Sequence, residues 1–232
     1  MKKIGILIFI VAIIVGVFFV NLFSFGRGAG KLISFSVGSR IKGSGVPGSE
    51  VRAARDFRGI DVGGVFQVEV TAGKEYSVQV QADDNLLPHI RTEVEHGILQ
   101  IETAEGIKSE NPLRVIVTAP DIASIEASGA SMVSVTGIKR AALEVSASGK
   151  SNVKVNGETD ELNVEASGAS SVDTESLKTQ TASVDSSGAS RVSVFVKSQL
   201  TSSASGASRI LYSGNPASVQ KSTSGVSSVV QK

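Results

Sequence analysis

Apolar and polar residues alternate along the chain from residue 121 onward, and a short phrase, Ser-Gly-x-Ser, interrupts this alternation at a regular interval. Counted from the glycine of each phrase, positions −6, −4, −2, +4 and +6 are apolar in 24 of 30 cases, and positions −5, −3, +3 and +5 are not apolar in 21 of 24. Successive side chains of a β-strand point to opposite faces. The pattern therefore predicts strands with one buried face.

The phrase returns every 18 to 20 residues, with its glycines at Gly129, Gly149, Gly168, Gly188, Gly206 and Gly225. A propeller blade needs about twice this length, and a leucine-rich repeat needs leucines and an asparagine at fixed places. The repeat predicts an all-β fold, a single-stranded β-solenoid (β-helix) of about 19-residue coils, stacked about 4.8 Å apart through backbone hydrogen bonds.

The phrase itself is predicted to be the bend between strands, because glycine accepts positive φ and serine hydroxyls bond to nearby backbone groups. We interpret it as structural rather than catalytic or ligand-binding. The predicted ladder of stacked bends comprises Ser128, Gly129, Ser131, Ser148, Gly149, Ser151, Ser167, Gly168, Ser170, Ser187, Gly188, Ser190, Ser205, Gly206, Ser208, Ser224, Gly225 and Ser227.

Residues 51–120 alternate less regularly and are predicted to form the N-terminal coils and a cap. The stretch TEVEHGILQIET indicates a hairpin with His96-Gly97 at its turn, and ADDNLLPHI indicates a short helix or a loop. Together with the regular repeats at 121–232, this segment is predicted to form one continuous domain, 51–232.

The N-terminus has a different character. Two lysines precede an apolar run, and residues 4–25 are long enough to span a bilayer as a helix. Residues 1–25 are predicted to be an uncleaved signal-anchor, with the N-terminus in the cytoplasm and the β-domain outside it; a cleaved signal peptide, giving a secreted or periplasmic protein, is the alternative. Most of the Gly- and Ser-rich residues 26–50 are predicted to be a flexible tether, with IKGSGV near their end as a candidate first edge of the folded domain.

The amino-acid composition excludes several kinds of functional site. Cysteine is absent, which removes disulfides and thiolate sites, and 23 Lys+Arg against 22 Asp+Glu give no field favouring nucleic acid. The only histidines, His89 and His96, have no metal-ligand spacing, so no cofactor and no catalytic residue is expected.

Acidic residues recur at position −3, where Glu126, Glu165 and Asp185 should share one column. Glu165 and Asp185 should lie on adjacent coils, about 5 Å apart, and are weak candidates for binding Ca²⁺ or for acid–base hydrolysis of a polysaccharide. The competing interpretation is a solvated face, with the acids offset by Lys154, Arg191 and Arg209.

The order of motifs resembles a known family. The stretch DFRGIDVGGVFQVEVTAGKEYSVQVQADDNLLPHIRTEVEHGILQI, followed by LRVIVTAPDIASIEASGAS and the repeated bends, is similar to the head GIN domain family of autotransporter-adhesin type, from about residue 43 to the end. The resemblance implies a bacterial exported β-solenoid associated with adhesion, without established catalytic residues.

We therefore expect a membrane-tethered, extracytoplasmic and non-catalytic adhesion or envelope interaction module, whose partner is an envelope or cell-surface protein or a glycan. The alternatives are a polysaccharide-active β-helix enzyme and an envelope sensor or scaffold. Unpaired strands at the C-terminal end, VSSVVQK, predict pairing with a partner or a second copy.

Overall fold

The computed structural model describes residues 40–232, and these form an all-β solenoid of about five turns, which confirms the predicted fold class. The strands are β1 (Ile41–Lys42), β2 (Pro47–Arg52), β3 (Gly59–Val62), β4 (Gln67–Ala72), β5 (Ser77–Asp83), β6 (Ile90–Glu95), β7 (Ile98–Thr103), β8 (Ile107–Lys108), β9 (Arg114–Ala119), β10 (Ser124–Ala127), β11 (Met132–Ala147), β12 (Asn152–Ala166), β13 (Ser171–Ser186), β14 (Arg191–Ala204), β15 (Arg209–Ser213), β16 (Ser218–Thr223) and β17 (Ser228–Gln231). A 3-10 helix, Asp84–His89, lies between β5 and β6.

Each regular coil contributes three segments that pair in parallel with the next coil. Between β11 and β12 these segments are residues 132–135, 138–140 and 142–147, and the register shifts between Val135 and Ile138. Gly137 and Gly157 have φ of 82° and 134° at this shift, which marks a second bend in the coil. The sequence analysis did not predict this bend, because no serine phrase accompanies it.

The core is built from the inward positions of the alternation. Position +4 reads Val133, Val153, Val172, Val192 and Ile210, and each of these side chains is buried and lies in register above its predecessor. Full burial of one such side chain contributes about 1.5–3 kcal/mol. Because the interior is a column of like residues, every coil depends on the coils on either side of it.

The first coils stack out of chain order. β3 pairs with β10 on one side and with β7 on the other, and β4 pairs in the same way with β11 and β9. The coil containing residues 59–72 therefore lies between the coil of 98–119 and the coil that begins at 124.

The N-terminal end is closed by antiparallel strands, as expected of a cap. β5 pairs with β9, β2 pairs with β5, and β6 forms a hairpin with β7. The hairpin turns at His96 and Gly97, with φ of 51° and 79°, where the sequence places it. Leu86 and Leu87 of the 3-10 helix are buried beneath this cap.

The first strand, β1, lies in the stretch IKGSGV near the end of the predicted tether. β1 lies within residues 26–50, and β2 begins within them and ends at Arg52. β2 tolerates Pro47 and Gly48 because it is an edge strand. The predicted membrane segment, 4–25, and residues 26–39 of the tether lie outside the described residues. Across residues 40–232, no helix combines the length and the apolar character that crossing a membrane requires.

Candidate functional site

The Ser-Gly-x-Ser bends stack in register along the solenoid. Their glycines have φ between 67° and 75°, and a Cβ placed on any of them would lie 2.5–2.8 Å from the carbonyl oxygen of the glycine in the preceding coil. The next residue donates its N–H to that same carbonyl, for example Ala169 to Gly149 at 2.7 Å. Glycine is therefore needed both for the left-handed backbone and for the close stacking of coils.

The serine at position +2 of each bend points into the interior. Ser131, Ser151, Ser170, Ser190 and Ser208 are buried, and Ser227 in the last coil is half-buried. Their hydroxyls donate to backbone carbonyls: Ser151 Oγ lies 2.8 Å from the oxygen of Ser148 and 3.1 Å from that of Ala127 in the coil below. This serine column thus fastens neighbouring coils together through the backbone and not by hydroxyl-to-hydroxyl contacts between coils.

The serine at position −1 faces outward instead. Ser128, Ser148, Ser167, Ser187, Ser205 and Ser224 are half-buried or exposed. Ser128 Oγ contacts the oxygen of Val62 at 3.3 Å. This second serine column therefore offers hydroxyl groups to the surface of the solenoid.

The outward positions −5, −3 and −1 before the bends form one surface, which we call the acidic face. An unbroken column of position −3 residues runs along it in strand register: Asp61, Glu126, Ser146, Glu165, Asp185, Ser203 and Ser222. A groove of about 350 Å³ follows this column, with the hydroxyls of Ser148, Ser167, Ser187 and Ser205 along it. The surface is therefore a ladder of carboxylates and hydroxyls.

Glu165 and Asp185 are brought together as predicted, since they are directly paired residues of β12 and β13. Lys154, Arg191 and Arg209 lie at positions +3 and +5, past the bend, where Arg191 and Arg209 pair with each other. No Lys or Arg occupies positions −5, −3 or −1 of any repeat in residues 124–224. The two sets of charges lie on opposite sides of the bend, and no ion pair of residues 40–232 joins them.

Two carboxyls in the N-terminal part of the acidic face have raised pKa values. Burial, and then the charge of Glu102, raise the pKa of Asp61 above its usual value. Burial, and then the charges of Asp61 and Glu144, raise the pKa of Glu126. In both cases burial and neighbouring carboxylates disfavour the ionised form, which a cation beside these carboxyls would favour.

In the part of the chain that the structure describes, no group of three or more His, Cys, Asp or Glu is placed to hold a metal ion. His96 lies in the hairpin turn, and His89 Nδ1 lies 3.1 Å from Glu105 Oε1 at the end of the 3-10 helix. Neither histidine is among the residues that line the groove. The groove therefore combines carboxylates and hydroxyls without an imidazole.

Asp61 is the member of the column that the sequence analysis missed. It lies three residues before Gly64, and Gly63-Gly64 replaces the Ser-Gly pair in a bend on which Gly129 stacks. The signal that could have found it is the alternation GIDVGGVFQVEV, which has the phase of the later repeats around Gly64.

Solved structures with this fold are found among bacterial proteins. A crystal structure titled as a putative adhesin from Bacteroides fragilis has a TM-score of 0.69 at 19% identity, covering 83% of this chain and all of that one. A putative lipid binding protein from Parabacteroides distasonis (TM-score 0.52, 19% identity) and a putative adhesin from Parabacteroides merdae (TM-score 0.52, 17% identity) each cover 84% of this chain and are themselves fully covered. At these identities the likeness shows the fold alone.

A comparison with curated proteins finds no match. The family model described as "Putative auto-transporter adhesin, head GIN domain" matches residues 56–216, which include both the out-of-order first coil and most of the regular coils. The chain therefore belongs to the head GIN domain family.

Proposed function

We propose that this protein is a non-catalytic, extracytoplasmic interaction module of adhesin type, tethered to the membrane by residues 4–25. The observation that supports it is the acidic face: a rigid ladder of carboxylates and hydroxyls that repeats with every coil. Its family is described as an adhesin family, and two of the similar structures are of putative adhesins. Membership of the same family supports an extracytoplasmic or surface location.

The chemistry of the face suggests the kind of partner. Among the ion pairs of residues 40–232, none includes Glu126, Glu165 or Asp185. Unpaired carboxylates one or two coils apart attract ammonium or guanidinium groups, and the serine hydroxyls between and beside them add polar contacts. We propose a cationic surface protein of the cell envelope as the partner, held by many weak contacts along the groove.

The experiment compares envelope binding by the full chain and by Glu126→Gln/Glu165→Gln/Asp185→Asn. We expect the triple variant to lose most of its binding, and wild-type binding to weaken as salt rises, because exposed charges are screened. The matched control is Asp160→Asn/Glu161→Gln/Glu95→Gln, which removes three exposed acids away from the groove. Equal loss in both variants, or no loss in the first, would overturn the proposal.

The alternative function is a polysaccharide-active enzyme that uses Glu165 and Asp185 as acid and base. The two residues are neighbours in β12 and β13, so this alternative can be tested. Single variants Glu165→Gln and Asp185→Asn separate the two functions. An enzyme would lose turnover of a polysaccharide in either single variant, whereas a multivalent binder would retain most of its affinity in both and consume no substrate.

A further inference from the structure

Within residues 40–232, β2 ends the sheet at the N-terminal cap, and one side of its backbone makes no hydrogen bonds. β5 is its only strand partner among residues 40–232. The carbonyl of Val46 accepts from the N–H of Asp84 at 2.9 Å, which is the β5 side. Backbone groups alternate in direction along a strand, so those of Gly48 and Glu50 also face β5, and those of Ser49 and Val51 face outward.

The side chains at this edge do not protect it in the usual way. Native edges are commonly blunted by like charges, by proline or by inward-pointing lysine. Pro47 protects only the first position of β2, while Val51 is 70% exposed in the middle of the free stretch. The two charges that flank Val51 are opposite in sign, Glu50 and Arg52, and they pair within the strand at 3.1 Å.

The order Glu50-Val51-Arg52 is complementary to itself when two strands run antiparallel. With Val51 opposite Val51 of a second copy, Glu50 of each copy lies opposite Arg52 of the other, which gives two cross-strand ion pairs around one apolar contact.

We propose that two copies of this chain associate through β2, antiparallel and centred on Val51, so that one sheet continues across a two-fold axis. Val51 of each copy then exchanges both backbone hydrogen bonds with Val51 of the other, and Ser49 pairs with Ala53. This interaction surface lies in the N-terminal cap, away from the acidic face, so it holds whether or not the proposed function is right.

Cysteine cross-linking of the full chain in detergent micelles tests the geometry. The chain has no cysteine, so Val51→Cys introduces a single thiol. Directly opposed residues of a hydrogen-bonded antiparallel pair have Cα atoms about 5.5 Å apart, within the range that a disulfide spans. The control is Val226→Cys, which is 87% exposed at a bend of the last coil.

We expect Val51→Cys to form about tenfold more disulfide-linked dimer than Val226→Cys under mild oxidation, because a paired edge raises the effective concentration of the two thiols. Equal cross-linking of both variants, or cross-linking of Val226→Cys alone, would overturn the proposal.

A second variant keeps the test independent of disulfide strain. Val51→Pro removes an N–H that points away from β5, so the fold should keep its melting temperature while the edge loses a donor. We expect sedimentation of the full chain to show a dimer for the wild type and a monomer for Val51→Pro. A wild type that sediments as a monomer at high concentration, or a dimer that survives Val51→Pro with an unchanged melting temperature, would contradict pairing through β2.

Discussion

At the scale of single residues, three positions of the repeated Ser-Gly-x-Ser phrase have different roles. The glycine supplies the left-handed backbone and lets coils approach, the serine at +2 bonds to carbonyls in the interior, and the serine at −1 faces the groove. Two of the three positions are therefore structural, and the third contributes to the surface that we propose as the binding face.

The glycine position gives the first prediction. Gly168→Ala should lower the free energy of unfolding by more than about 3 kcal/mol, because backbone strain is joined by a clash with the backbone of Gly149, whose oxygen would lie 2.8 Å from the new Cβ. Gly73→Ala is the control, since Gly73 has φ of 85° with nothing within 4 Å of its Cβ position. It should cost about 1–2 kcal/mol, the left-handed penalty alone.

Urea denaturation monitored by circular dichroism measures both variants. Equal losses for Gly168→Ala and Gly73→Ala would show that coil stacking leaves enough room for a Cβ, and would contradict the role given to the bend glycines.

The two serine columns give the second prediction. Ser170→Ala should lower the free energy of unfolding by about 0.5–1.5 kcal/mol, because its buried hydroxyl donates to the oxygen of Ala147 at 3.1 Å. Ser167→Ala, in the same bend but exposed, should change it by less than about 0.5 kcal/mol. Thermal denaturation of the Ser170→Ala and Ser167→Ala variants measures both losses. A larger loss for Ser167→Ala would reverse the assignment of inward and outward serines.

At the scale of elements, one buried carboxylate holds the cap together. Asp83, at the end of β5, is fully buried and accepts from the N–H of Glu110 at 2.8 Å and from the hydroxyl of Ser109 at 3.1 Å; it also bonds to Asn111. A Cβ on Gly43 would collide with Asp83, so the N-terminal segment passes close to the same carboxylate. Asp83 therefore joins three segments that are distant in sequence.

This carboxylate gives the third prediction, on pH. The N–H of Glu110, followed by the side chains of Asn111 and Ser109, lowers the pKa of Asp83 below its usual value. Stabilisation from such a group is fully present above the unfolded pKa, about 3.9, and is lost as pH falls towards the lower folded pKa.

We expect Asp83→Asn to lower the melting temperature by several degrees at pH 7, and the difference from the wild type to shrink as pH is lowered below about 4. Asp160→Asn, an exposed acid, is the control and should leave the melting temperature unchanged at pH 7. A difference that grows at acid pH would contradict the direction of the pKa shift.

At the scale of the whole molecule, the C-terminal end differs from every coil before it. Position −4 is inward and reads Ile125, Val145, Val164, Val184, Ser202 and finally Lys221. The Nζ of Lys221 lies 4.7 Å from the centre of the Tyr212 ring, which is buried in the core. Lys221 is exposed at this end, and its charge over the Tyr212 ring hinders the stacking of another coil.

This end gives the fourth prediction and bears on the expected self-association through the C-terminal edge. Lys221→Val should replace the charge at this end of the solenoid by an apolar side chain, so the variant should form assemblies larger than those of the wild type, at equal concentration. Sedimentation velocity of the full chain measures this. An unchanged distribution of species would show that Lys221 does not limit stacking at this end.

The regular coils could be predicted from sequence because the information that specifies them is local. Alternation decides which side chains point inward, and a glycine with small neighbours decides where the chain bends, so Val133, Gly149 and Ser170 are all found where the pattern places them. The pairing of Glu165 with Asp185 follows from the repeat length, because residues one repeat apart stack directly.

Three other features were decided only by the tertiary structure. The coil of 59–72 is inserted between two later coils, Asp83 meets residues 109–111, and β2 closes the cap as an edge strand despite its glycine and proline. Backbone pairing is nearly independent of side-chain identity, so many stacking orders satisfy the same alternation. The order adopted is fixed by contacts between segments far apart in the chain, and no local pattern encodes those.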